Sequence, residues 1–204
     1  MRKYILYIIF LIGIFILNLK IVNIHGGNYI IYRSGEIGKI IRLIPIWVDG
    51  RFTEGEKESI KEGIKEWDNG LNGLIKLKIV DEEFGGEDWK VRLMYTYGGW
   101  AIVKRDIKDL PIFYDNEKEK VLGYVDKIGG NILYLIEARL NHEMVKYVMM
   151  HEIGHLLGLQ HEGKYLMGIY YSTENFQCID ERTMERIGKR WNIRKGLLNF
   201  CERM

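Results

Sequence analysis

The sequence predicts an α+β domain: about five short strands, two large helices and a C-terminal helix. Three observations predict it. Short runs alternate apolar and polar residues at period two, as half-buried strands do. Two longer runs carry apolar residues at helical spacing, each opening on a capping residue. A third capped run of the same kind stands near the C-terminus.

Taken in order, residues 40–48 read as a strand, and Pro45 inside it, lacking an N–H, argues for an edge or a bulge. Thr53 and Glu56 have the spacing of a capping box. The helix they open runs to about residue 69, with Ile60, Ile64 and Trp67 on one face and Gly70 as its stop. Residues 74–80 and 89–97 alternate as two strands, whereas 106–120 are polar and read as a loop. Residues 122–126 and 131–138 are two further strands, joined through Gly129 and Gly130. Asn141 caps the next helix. Its Met144, Val145, Val148, Met149, Leu156 and Leu157 form an apolar stripe that a core would bury. Asp180 caps the last helix, in which Met184, Ile187 and Trp191 share a face.

The chain has 204 residues, a 47% hydrophobic content and two prolines, which fits one packed domain and excludes a disordered chain. Formal charge is +2. With Arg2, Lys3 and Lys20 set aside, 27 basic residues face 28 acidic ones, so no nucleic-acid partner is expected. Residues 1–24 are different. Arg2 and Lys3 precede an almost wholly apolar run, long for a signal peptide and short for a full span. They are expected to be a signal peptide or an uncleaved signal-anchor, with membrane contact through residues 4–22 if uncleaved. Residues 25–39 then read as a linker, and 40–204 as a domain facing away from the cytoplasm, anchored or secreted. Cys178 and Cys201 are the only cysteines. Outside the cytoplasm they can pair as a disulfide, with two free thiols as the alternative.

Residues 151–161 read HEIGHLLGLQH and carry the chemistry. A chance match to its five defining positions is on the order of 1 in 10⁵ for a chain this long. Residues four apart lie on one helical face, so His151 and His155 can aim both imidazoles at one point. Gly158 lets the chain leave the helix through a positive φ, and His161 returns as a third ligand. Three protein ligands with a fourth position open are the arrangement of a catalytic zinc site. Glu152, next to the first ligand, is the candidate general base, able to accept a proton from water and return it to a leaving amine. Three histidines without a metal in an apolar setting would be costly.

The extended run HExxHxxGxxH, with Met167 following in Tyr165-Leu166-Met167-Gly168, resembles the metzincin signature and its Met-turn. The short link from His161 to Met167 looks like the matrixin type, though it is shorter than the usual matrixin connection. Glu162 after His161 is similar to astacins, whose remaining run is absent. The resemblance covers nearly all of residues 40–195 and implies a zincin/metzincin-like fold, a twisted mixed sheet with two large helices and a C-terminal helix. It implies that Met167 forms an apolar floor under the zinc. It also implies that the fourth strand, here Leu122, Gly123, Tyr124 and Val125, borders the cleft and binds extended substrate by β-augmentation. Tyr170 and Tyr171 are candidates for a tyrosine that contacts zinc or steadies an oxyanion. No cysteine stands upstream of the helix, so a cysteine-switch prodomain is not expected. Asp81, Glu82 and Glu83 read as a solvated loop, and no calcium site is assigned.

The expected function is therefore a zinc endopeptidase acting on extended polypeptide. Two alternatives are a zinc hydrolase of some other amide and a membrane-tethered zinc-binding module without turnover. The intact Glu152 speaks against the last.

Overall fold

The computed structural model describes residues 19–24, 27–32, 42–80, 98–110, 121–163, 165–171 and 178–201. The chain divides into two units, Met1–Arg42 and Leu43–Met204. In the first, β1 (Leu19–Ile24) pairs antiparallel with β2 (Gly27–Tyr32), from Leu19↔Tyr32 to Ile24↔Gly27. Residues 27–32, expected within a linker, are thus a strand. The apolar run before Leu19 lies outside the described residues. Among the described residues no helix is long and apolar enough to cross a membrane.

Among the described residues the second unit holds a five-stranded mixed sheet with three α-helices. Its strands are β3 (Arg42–Val48), β4 (Ile75–Ile79), β5 (Trp100–Arg105), β6 (Gly123–Val125) and β7 (Ile132–Ile136), in the order β4-β3-β5-β7-β6. β5 lies parallel to both β3 and β7, and β6 runs antiparallel to β7 at the edge.

Three expectations change here. β3 is internal, not an edge. Its pairing with β5 runs only from Ile46↔Trp100 to Val48↔Ile102, so Pro45 precedes the ladder that its missing N–H would interrupt. The central strand β5 was not anticipated, because Trp100, Ala101, Ile102 and Val103 are buried on both faces and show no alternation. Residues 89–97 lie outside the described residues. The strand expected over 131–138 stops at Ile136, where Glu137–Arg139 form a 3₁₀ turn.

The helices follow their caps. In α1 (Glu54–Gly70) the Thr53 hydroxyl accepts from Glu56 N at 3.3 Å and the Glu56 carboxylate accepts from Thr53 N at 2.7 Å. α1 buries Ile60, Ile64 and Trp67, and the Trp67 indole N–H donates to Met150 O at 3.0 Å, docking it on α2 (His142–Leu156). α2 starts at Asn141, whose side chain accepts from Met144 N at 2.9 Å. It packs between α1 and the strands β6 and β7, and its second half, Val148 to Leu156, is wholly buried. α3 (Glu181–Trp191) buries Met184, Ile187 and Trp191; the Trp191 indole donates to Leu157 O at 2.9 Å, just past the end of α2. Cys178 and Cys201 form a disulfide with Cα atoms 6.2 Å apart, beside the start of α3.

Candidate metal centre

α2 places His151 and His155 one turn apart with Glu152 between them, and each of the three is about 95% buried. Burial holds both imidazoles neutral. It pushes His151 down to about 3, with help from His155, and His155 down to about 4. A backbone carbonyl only accepts, so it selects the tautomer of each ring. His151 Nδ1 donates to Leu166 O at 2.5 Å, and His155 Nδ1 donates to Leu159 O at 2.7 Å. In both rings Nε2 is left with its lone pair facing inward.

The chain then leaves the helix in a Schellman turn. Gly158, at φ +92°, donates to His155 O at 2.9 Å, and Leu159 N donates to Gly154 O at 2.9 Å. Three residues later His161 brings its Nε2 to 3.1 Å from that of His155 and 3.2 Å from that of His151. Nitrogens bound tetrahedrally to zinc at 2.0–2.1 Å stand about 3.3 Å from one another. Both spacings suit a zinc ion shared by the three imidazoles.

Glu152 adds a second sign of fit. Its Oε2 is buried and, among the described residues, has no hydrogen-bond partner. Burial alone pushes its carboxyl up to about 8. A dication beside it would favour the ionised form, which is the form a base needs.

Met167 is buried against the helix between His151 and His155. A Cβ added at Gly154 would run into the Met167 thioether, so the absence of a side chain there lets Met167 pack directly on the helix beneath His151 and His155. The short link from His161 closes on itself, with Glu162 N donating to Met167 O at 2.8 Å. Leu166, whose carbonyl orients His151, is held by its own N–H against Asp180 Oδ2 at 3.4 Å. Asp180 also caps α3 through Thr183, 2.9 Å from its amide and 2.8 Å from its hydroxyl.

The edge strand reaches the same place. At Gly123 an added Cβ would stand 3.1 Å from Glu152 Cγ and 3.0 Å from Val148 Cγ1, so β6 lies directly against the glutamate. Leu122 O accepts from Ile136 N at 3.0 Å, Tyr124 stacks on Tyr134 at 4.7 Å, and Val125 pairs with Leu133. The β6–β7 turn is tied to the ligand helix, because Gly129 N donates to His155 O at 2.8 Å. The tyrosines diverge. Tyr170 is 78% exposed, whereas Tyr171 is half-buried near Tyr147 and Glu143 of α2.

Two residues around the site were missed by the reading of the sequence. Glu162, noted only for its likeness to astacins, makes ion pairs with Arg182 and Arg186 of α3. Asp180 was read only as a cap. A Glu followed by Arg182 and Arg186 one turn apart was a visible signal, but only the fold brings α3 to the ligand loop.

No protein-family model matches the sequence, and no curated protein matches it. Among solved structures, the fold is similar to archaemetzincin from Methanopyrus kandleri, at 17% identity and TM-score 0.46, covering 76% of this chain and 97% of that one. It is also similar to metalloproteinase-II from Bacteroides fragilis, at 19% identity and TM-score 0.46, covering 74% of this chain and 52% of that one. These are likenesses of fold, and the chemistry of this chain is read from its own side chains.

Proposed function

We propose that this chain is a zinc-dependent endopeptidase, metzincin-like with a matrixin-like short Met-turn link, acting on extended polypeptides. One observation carries the reading: three Nε2 atoms converge beside a buried carboxylate oxygen that has no partner among the described residues. His151, His155 and His161 would hold the ion, and Met167 would floor it. Bound there, zinc supplies a Lewis acid for the scissile carbonyl and lowers the pKa of water. Glu152 accepts the proton of the attacking water and returns it to the leaving amine. Leu122, Gly123, Tyr124 and Val125 offer a sheet edge for the substrate backbone, and the contact of Gly123 with Glu152 supports this, since a peptide paired there passes the base. The same edge favours a peptidase over a hydrolase of small amides. The disulfide supports a site of action outside the cytoplasm.

The test is digestion of a peptide library by the full chain, with and without chelator, beside Glu152→Gln. The expected result is zinc retained by the variant and cleavage reduced by about 10²–10⁴-fold, the scale of general-base catalysis. Undiminished cleavage by Glu152→Gln, or by the chelated protein, overturns the mechanism.

A further inference from the structure

We propose that Arg186 of α3 is a positioning residue for the third metal ligand, clamping the backbone on both sides of His161. The inference rests on the zinc reading above. His151 and His155 are each fixed twice, by the helix and by a ring hydrogen bond to a carbonyl. His161 has neither support. It follows the end of α2, it is exposed, and its ring contacts run through Nε2 to the other two histidines. Its aim is therefore set by the path of the backbone that carries it.

Arg186 controls that path. Its Nη2 donates to Gln160 O at 2.8 Å and its Nε pairs with Glu162 Oε2 at 2.9 Å, so one guanidinium bridges the residues flanking His161. Arg182 holds the other Glu162 oxygen, with Nε at 2.8 Å, and Glu162 N anchors to Met167 O at 2.8 Å. The Arg186 side chain is 22% exposed, so the clamp is partly shielded from water. A planar fork can engage a carbonyl and a carboxylate in one fixed geometry; an ammonium on a flexible stem holds one well and the other poorly. Groups that orient metal ligands in this way typically account for 10–100-fold in metal affinity.

The experiment is a competition titration of zinc against a chromogenic chelator, using the full chain and Arg186→Ala, Arg186→Lys and Glu162→Ala, with Lys189→Ala, an exposed residue of the same helix, as control. The visible spectrum of the cobalt-substituted protein and the melting temperature of the metal-free protein are recorded alongside. Arg186→Ala is expected to weaken zinc binding 10–100-fold and to alter the cobalt spectrum. Arg186→Lys recovers part of the loss, and Lys189→Ala matches the wild type. The double variant carrying both Arg186→Ala and Glu162→Ala, titrated in the same way, loses less than the two single losses combined, because the pair acts as one unit. If Arg186→Ala binds zinc as tightly as the wild type with an unchanged cobalt spectrum, the clamp is wrong, whatever happens to the melting temperature. A wild type that binds no zinc overturns the functional reading itself.

Discussion

Replacing Gly158 by Ala tests the turn on which the third ligand depends. If α2 simply continued, His161 would stand six residues past His155, about 9 Å further along the axis and about 120° away around it. Convergence of the three Nε2 atoms thus requires the chain to reverse at Gly158, which it does at φ +92°. An L side chain held at positive φ costs about 1–2 kcal/mol. The added Cβ would also overlap the Arg190 guanidinium, but that side chain is exposed and can swing aside. The variant has two courses. It can keep the turn, and the metal-free protein then loses about 1–2 kcal/mol of stability. It can relax the turn instead, leaving zinc to rebuild it, and the same energy appears as an affinity lower by about 5–30-fold. Urea melts in the presence of chelator measure the first loss and zinc competition measures the second. The two losses should sum to the strain energy. Gly158→Asn, which tolerates left-handed backbone, should recover part of it. An Ala variant equal to the wild type in both measurements would refute the claim that the turn positions the ligand.

Three further outcomes are expected. The folded pKa values of His151 and His155 are depressed, so the neutral rings stabilise the metal-free protein fully above the ordinary histidine value near 6.5; this contribution is lost as pH falls toward about 4 and then about 3. The raised Glu152 carboxyl opposes that loss between about pH 8 and 4.5, so urea midpoints of the metal-free chain should fall most steeply below pH 4.5, where the opposition has ended. Reducing the Cys178–Cys201 disulfide, which spans 23 residues, should cost about 3 kcal/mol by chain entropy, read as a lower urea midpoint in dithiothreitol. Gly154→Ala should overpack against Met167 and cost about 1–3 kcal/mol in urea melts, with the loss smaller in a chain that also carries Met167→Ala; additive losses would mean that the two positions do not touch.

The helices were legible because their signals are local. Thr53 with Glu56, Asn141 and Asp180 each satisfy backbone donors within three residues, and the structure shows those bonds. The sheet was less so. The sequence run at Trp100–Val103 is apolar throughout, and a strand buried on both faces leaves no period to read. Pro45 pointed to an edge by a correct rule applied without the register, since the ladder to β5 begins one residue after it. What sets a strand's place in a sheet is the partner's length and offset, and neither is encoded in the strand itself.

The site divides along the same line. Convergence of the three histidines follows from spacing within eleven residues, two set by helical pitch and the third by a glycine turn. The groups that orient them are distant or belong to the backbone. His151 is aimed by Leu166 O, and Leu166 by Asp180; His161 is aimed through Gln160 and Glu162 by Arg186. Periodicity could show that α3 buries Met184, Ile187 and Trp191, but not that its polar side would meet the ligand loop. That follows only once the Trp191 indole is docked on Leu157 O, which sets the helix against the end of α2. The ligands of such a site are written in one short run, whereas their aim is a property of the packed chain. A change on α3, far from the motif in sequence, should therefore alter zinc affinity as surely as a change beside it.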